Sequence, residues 1–214
     1  TAVMEELTEH TSADEAVHMI VGVLNPQTGM EESYGYSKLG VANVQNHLNI
    51  RKEPKENASL VGTMVKNSGC EVLETTDDGW AKIKSGRVEG YVSMEYLLTG
   101  EEAHARAAEA AGADIVDVNM GCPMLKVVKN GDGSALMKDV PRAEAVIRAM
   151  VRAVTIPVTV KMRIGWSRAS LNAPELAQAV EEAGAAAVTV HGRTKEELYS
   201  GHADWSEIRR VADA

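Results

Sequence analysis

Three segments in the second half of the chain end in residues that can do chemistry. The first ends in Asn119 and runs on through Met-Gly to Cys122. The second ends in Lys161 and Arg163, and the third ends in His191. Thiols and imidazoles transfer protons, and cationic side chains stabilise negative charge. One polar residue at the end of a segment means little, because loops begin with polar residues. Three such ends in succession predict a site.

Apolar strands that alternate with amphipathic helices must position these residues. We predict strands at 115–119, 157–163 and 186–191, helices at 139–154, at 172–183 and from Asp204, and an earlier alanine-rich helix, GEEAHARAAEAAG, that stops at Gly112. This alternation is typical of a parallel sheet covered by helices, so the fold class of this half is α/β. Because the carboxyl ends of parallel strands lie at one edge, the three strand ends are expected to converge there.

Residues 41–99 differ in character, with short alternating segments divided by Gly, Pro, Asn and Asp. VANVQN, HLNIR, SLVGTMV, CEVLETT, WAKIKS and EGYVSMEYL are typical of the strands of a small all-β barrel. The most characteristic residues are Leu48-Asn49-Ile50-Arg51, Pro54, Gly62, Val65, Gly69, Gly79-Trp80, Ile83, Gly90-Tyr91-Val92 and Tyr96-Leu97. Together they resemble the bacterial SH3 domain, which usually attaches secreted hydrolases to the cell wall and is not itself a catalyst.

The aromatic residues of this region allow two interpretations. Trp80, Tyr91 and Tyr96 belong either to the core and rim of the barrel or to a ligand groove. Cys70 lies among strand residues, and we interpret it as a small buried side chain.

The chain as a whole is acidic, with a net charge of −9. Residues 1–40 hold seven acidic residues and one basic residue, and we interpret them as a poorly ordered lead-in with a weakly periodic helix over residues 5–23. Neither half is a basic platform, so contact with RNA requires a local patch or parts outside this sequence.

No apolar run approaches the roughly 18 residues that span a bilayer. Two distant cysteines argue against a disulfide framework or a metal site.

Three motifs between Asn119 and Trp205 carry a second resemblance. They are NMGCPMLKVVKNGDGSALMKD, IPVTVKMRIGW and VTVHGRTKEELYSGHADW. Together they are similar to the tRNA-dihydrouridine synthases. The resemblance implies an FMN-binding TIM-barrel enzyme of bacterial type that reduces uridine in tRNA to dihydrouridine, with NADPH as the reductant.

The same resemblance implies roles for the residues at the strand ends. Reducing the C5–C6 double bond of uridine needs a hydride from reduced flavin at one carbon and a proton at the other. Cys122 matches the family's general acid, and Lys161 matches the lysine beside the flavin pyrimidine ring. Asn119 and His191 match flavin-contacting residues, and Arg163 matches a residue at the target uridine.

Interpretations without a catalytic or binding role remain for single residues. Cys122 taken alone is an inert buried thiol, and the neighbouring Asn119 and Pro123 reverse that preference. Lys126, Lys129 and Arg193 are either contacts to RNA phosphates or solvated surface charges.

The chain supplies three of the eight strand–helix units of a complete TIM barrel. We expect residues 101–214 to be a partial synthase domain that follows an SH3-like domain at 41–100, in a hybrid or truncated gene product joined near residues 101–107. Such a sheet is expected to expose two edges and an uncovered apolar face, to self-associate and to bind flavin weakly.

Two functions therefore stand at this point. The first is flavin-dependent uridine reduction in tRNA, which places the protein in the cytoplasm. The second is a non-catalytic module that binds peptidoglycan through residues 41–99, with the α/β part as an inactive passenger, which places it outside the cell or in the wall.

Overall fold

The fold begins with a pair of strands. The computed structural model describes residues 20–25, 30–35 and 38–214. Strands β1 (Ile20–Asn25) and β2 (Met30–Gly35) pair antiparallel. The helix expected over residues 5–23 is therefore wrong for residues 20–23, and its residues 5–19 lie outside the described residues.

The next seven strands form one antiparallel sheet. They are β3 (Leu39–Ala42), β4 (His47–Arg51), β5 (Leu60–Val65), β6 (Gly69–Thr75), β7 (Trp80–Ser85), β8 (Val88–Ser93) and β9 (Leu97–Thr99), with a short 3-10 helix (Met94–Tyr96) before β9. Their order in the sheet is β5-β4-β8-β7-β6-β3-β9. Alternate residues such as Leu48 and Ile50 point into a buried core that also holds Ala81, Ile83 and Val92. The all-β prediction for this region is confirmed.

The second half is α/β. Its helices are α1 (Gly100–Ala110), α2 (Leu125–Lys129), α3 (Val140–Ala153), α4 (Ala173–Glu182) and α5 (Trp205–Ala212), and its strands are β10 (Val116–Met120), β11 (Val158–Arg163) and β12 (Ala187–His191). The three strands form a parallel sheet in the order β10-β11-β12. The predicted order of strands and helices is confirmed.

Helix α3 shows why these segments are helical and where they pack. The Asp139 side chain caps it by accepting from the Arg142 backbone N–H at 3.1 Å, and Pro141 lies in its first turn. Ala143, Ile147 and Met150 recur at helical spacing and are buried against the sheet. A 3-10 helix (Gly133–Lys138) immediately precedes this cap.

Helix α1 packs against both halves of the molecule. Its Ala103 and Ala107 form a buried cluster with Leu39 and Val41 of β3, whereas Ala105 belongs to the core of the α/β part. Arg106 contacts both parts, because its Nε donates to the Ala153 carbonyl at 2.6 Å and its Nη1 donates to the Asn67 side-chain oxygen at 3.4 Å. Alanine suits such a helix because two neighbours approach it closely. The division at residues 40 and 100 and the hybrid origin of the chain stay predictions.

Candidate functional site

The parallel sheet has one apolar face and one polar face. Val158, Val160 and Met162 point toward the helices and are buried. The opposite face carries Asp117, Asn119, Thr159, Lys161, Ala187, Thr189 and His191, all of them exposed or half-buried. The expected uncovered apolar face is therefore wrong. Successive side chains of a strand alternate between faces, and the positions that alternate with the buried valines and methionines are almost all polar.

The strand register brings three polar residues into one row on this open face. Asn119 lies opposite Lys161, and Lys161 lies opposite Thr189. Neighbouring strands are about 4.8 Å apart, so the lysine is flanked by an amide on one side and a hydroxyl on the other. One row earlier, the Thr159 hydroxyl donates to the Asp117 carboxylate at 2.7 Å. The row offers one cation between two hydrogen-bonding groups.

The loop after β10 holds Cys122 at the carboxyl end of the sheet. The Asn119 side-chain oxygen accepts from the Gly121 backbone N–H at 3.0 Å, and the Cys122 carbonyl accepts from Ser134 N at 3.0 Å. Gly133 has φ +57°, and a Cβ there would lie 2.8 Å from the Cys122 carbonyl oxygen, so only glycine lets the loop close. Asn119 therefore orients the loop that carries the thiol.

The two cysteines differ in environment. Cys122 is half-buried and free, at the end of the sheet where the other candidate residues lie. Cys70 is buried in the antiparallel core, and burial raises the pKa of its thiol to about 12. Cys70 is the small buried side chain that we expected, and only Cys122 is placed to meet a substrate.

Arg163 is buried and holds the loops at the end of the sheet together. Its Nε donates to the Gly121 carbonyl at 2.8 Å, and its Nη1 donates to the carbonyls of Thr194 at 3.1 Å and Leu198 at 2.8 Å. These contacts tie the loop after β10 to the loop after β12. Leu198 has φ 53°, a left-handed conformation that is unusual for leucine and that the Arg163 contact helps to hold.

His191 lies at the end of β12 among cations. Burial lowers the pKa of His191, and the neighbouring Arg163, Lys161 and Arg193 lower it further. Its Nε2 is 3.2 Å from Arg193 Nη1, and a guanidinium can only donate, so Nε2 accepts and the ring is neutral. The Tyr199 ring centroid is 6.2 Å from that of His191. The site combines fixed positive charges with an uncharged imidazole.

Several further residues belong to this site and were not predicted from the sequence. Asp117, Thr159 and Thr189 share the open face with Lys161, and the two-residue alternation along each strand was a signal that could have found them. Tyr199 is 74% exposed beside His191, and it lies in a loop where no periodicity marks it.

A separate groove lies on the antiparallel part. Trp80 and Tyr96 line it together with Arg51, Lys55 and Asn57, and its volume is about 730 Å³. Tyr91 is half-buried and pairs across from Lys82 within the sheet. The groove interpretation therefore applies to Trp80 and Tyr96. Acidic residues line it as well, namely Glu56, Asp78 and Glu95.

The structure describes residues 20–25, 30–35 and 38–214. Nowhere in that part of the chain do three or more His, Cys, Asp or Glu side chains come together in a way that could hold a metal ion. Of the helices described, none is long and apolar enough to cross a bilayer.

Fold and site together define an α/β protein whose parallel strand ends carry a thiol, an ammonium and an imidazole, joined to an SH3-like module. Residues 99–214 match the family model described as dihydrouridine synthase, and the chain belongs to this family. Residues 46–97 match the model described as bacterial SH3 domain.

Curated relatives agree with the family. A probable tRNA-dihydrouridine synthase of Rhizobium leguminosarum bv. phaseoli is 46% identical over 148 residues, 67% of this chain and 46% of the relative. One from Rhodobacter capsulatus is 47% identical over 163 residues, 73% of this chain and 49% of the relative. The tRNA-dihydrouridine synthase B of Shewanella oneidensis is 38% identical over 157 residues, 72% of this chain and 48% of the relative. The chain spans about half the length of these relatives.

The role of Arg163 in the loops leads to a first prediction. Arg163→Lys keeps the charge but not the forked geometry that reaches three carbonyls, so backbone amides of residues 194–201 should exchange faster with deuterium. The control Lys161→Gln alters an exposed side chain of the same strand and should leave that exchange unchanged. Equal exchange rates in both variants would show that Arg163 does not hold the loop.

The charges around His191 lead to a second prediction. In an NMR titration His191 should protonate below its ordinary pKa of 6.5, and Lys161→Gln should raise that pKa because a nearby positive charge is removed. Lys84→Gln, in the antiparallel part, is the matched control. The unfolded chain binds this proton more tightly, so the stability contributed by neutral His191 is present above pH 6.5 and is lost as pH falls below it. A pKa above 6.5 would contradict the assignment.

Proposed function

We propose that this chain carries the catalytic strand ends of an FMN-dependent enzyme that reduces uridine in tRNA to dihydrouridine, with NADPH as the reductant. The observation that supports this most directly is the row Asn119, Lys161 and Thr189 on the open face, with Cys122 and His191 at the same end of the sheet. We propose further that the sheet is an arc of a TIM barrel, in which this polar face points to the barrel axis.

The donor set fits a flavin. Lys161 offers a cation, Asn119 and Thr189 offer groups that donate and accept hydrogen bonds, and His191 offers a neutral imidazole. In addition, Arg193 Nε is buried and has no hydrogen-bond partner among the described residues, so a donor is free beside His191. When bound, the flavin would supply the hydride for the reduction.

Each residue then has a defined task. Cys122 donates the proton to the carbon of the uracil C5–C6 bond that does not receive hydride, and a thiolate remains on Cys122. Lys161 stabilises negative charge on the ring system held over the open face. His191 accepts or donates hydrogen bonds without adding charge, and Asn119 orients the loop that carries the thiol.

Arg163 has two proposed tasks, one that rests on its contacts and one that rests on the family resemblance. Its contacts to three carbonyls support a positioning role for the loops around the site. Contact with the target uridine is the role that the family resemblance suggests. That contact stays a proposal, because burial and these bonds leave little of the guanidinium exposed.

The open face is one wall of a binding site. Lys161 and Asn119 are exposed, and a ligand held on this face alone keeps its other side in water. Binding energy grows with the surface removed from water, so we expect this chain to bind FMN weakly. The outer strands β10 and β12 each offer a free edge, and self-association through these edges is a further proposal.

The general acid gives the third prediction. With FMN and NADPH in excess and unmodified tRNA as substrate, Cys122→Ala should slow dihydrouridine formation by about 10²- to 10⁴-fold, the usual contribution of a positioned acid. Flavin binding, followed by absorbance, should not change. Cys70→Ala is the matched control and should keep the rate. Full activity of Cys122→Ala would remove the thiol from the mechanism, and no product from the unaltered chain would reject the proposed reaction.

The groove with Trp80 and Tyr96 favours a second candidate, a module that binds peptidoglycan. A half-buried tryptophan and an exposed tyrosine beside polar residues suit a sugar or peptide ligand. The relatives are named for tRNA modification, which gives an extracellular or wall-bound protein no support. We propose the cytoplasm, where the proposed tRNA substrate is found.

Sedimentation with isolated peptidoglycan tests this candidate and gives the fourth prediction. Wall binding through the groove requires that the chain sediments, that Trp80→Ala abolishes sedimentation, and that Lys84→Ala, outside the groove, does not. Absence of sedimentation rejects the candidate and leaves the proposed tRNA reaction untouched.

A further inference from the structure

A tryptophan between two lysines lies at the same end of the parallel sheet as the candidate site. Lys138 Nζ is 4.3 Å from the Trp166 ring centroid, and Lys195 Nζ is 4.6 Å from it. Lys138 ends the 3-10 helix after β10, Trp166 lies in the loop after β11, and Lys195 lies in the loop after β12. The segment that follows each of the three strands therefore contributes one residue to this cluster.

The loop that carries Trp166 is held firmly. The backbone N–H of Lys195 donates to the Gly165 carbonyl at 3.0 Å, and that of Glu196 donates to the Trp166 carbonyl at 3.1 Å. On the other side, the Asn172 side chain donates to the Met137 carbonyl at 2.7 Å. A Cβ at Gly165 would lie 2.4 Å from the Ser170 carbonyl oxygen, so the tight loop requires glycine there. The ring is a fixed platform that needs no ordering before a ligand binds.

Neither lysine is held in an ion pair in the part of the chain that the structure describes. Within residues 38–214, neither Lys138 nor Lys195 has an acidic side chain within the 4.0 Å of an ion pair. Two neighbouring acids are engaged elsewhere, because Glu197 and Asp204 both pair with Arg168 at 2.6 Å. Each ammonium lies against the same ring without a carboxylate partner, so each is able to bind an anion.

A cavity of about 460 Å³ lies beside the cluster. Its walls include Trp166, Met137, Pro141 and Leu171, and Glu175 also lines it. An acid there disfavours a phosphate deep in the cavity, so an anion belongs at the lysines. The apolar walls leave room for an uncharged sugar or base attached to that anion.

We propose that Lys138, Trp166 and Lys195 bind a backbone phosphate of the RNA substrate, with the adjoining nucleoside against the cavity. The inference rests on the proposed function, because it names how the same end of the sheet holds its polynucleotide. It also accounts for RNA binding by an acidic chain, since the site needs one local cluster and not an overall basic surface. The flavin's own phosphate has the same chemistry, and the experiment separates the two.

The fifth prediction tests the lysines by RNA binding. An unmodified tRNA transcript is titrated with the full chain at several KCl concentrations, with fluorescence anisotropy as the readout. Lys138→Gln and Lys195→Gln should each weaken binding roughly fivefold and lower the slope of log affinity against log salt by about one. Lys138→Arg and Lys195→Arg should retain binding, because arginine keeps both the charge and the contact with the ring. Lys84→Gln, which removes an exposed charge from the antiparallel part, should change nothing.

The outcomes separate this inference from the proposed function. If the double lysine-to-glutamine variant binds RNA within twofold of the unaltered chain and with the same salt slope, the inference fails and the tRNA reaction stands. If FMN affinity falls in that variant while RNA affinity does not, the cluster serves the flavin phosphate and the inference also fails. If the unaltered chain binds no tRNA, both the inference and the proposed tRNA reaction are rejected.

Discussion

The buried guanidinium of Arg163 is the interaction on which the arrangement of the site depends. It lies at the end of the central strand and donates to carbonyls on the loops that follow the two outer strands. Backbone carbonyls in loops need partners when they are removed from water, and one forked cation satisfies three of them. The loop that carries Cys122 and the loop that carries Tyr199 therefore share one anchor. The positions of the reactive side chains follow from it.

The sequence predicted the strands and helices well because the spacing of apolar residues differs between them. Apolar segments predicted β10, β11 and β12, and amphipathic segments predicted α3 and α5, which Asp139 and Asp204 cap in the structure. It predicted less about the loops, and it did not predict α2, which lies between β10 and α3. The spacing of apolar residues along the chain could not show that the carbonyl partners of Arg163 come from two other loops. Such partners are set by tertiary packing, which no local pattern contains.

The polarity of the open face was open to prediction and was misjudged. Thr159 lies between two buried valines in the chain, yet it points to the other face beside Asp117. Counting every second residue from Lys161 leads to Thr159, and counting from His191 leads to Thr189. Burial of so polar a face would contribute little hydrophobic free energy. It suits hydrogen bonding to a polar ring system.

Helix α1 has a consequence for how the two parts of the molecule depend on each other. Strand β9 ends at Thr99 and α1 begins at Gly100, so no linker separates them. The helix gives Ala103 and Ala107 to one part and Ala105 to the other. Because the helix packs against both parts, unfolding of one part removes apolar contacts from the other. A cut between the two parts would expose apolar side chains on whichever piece lost the helix.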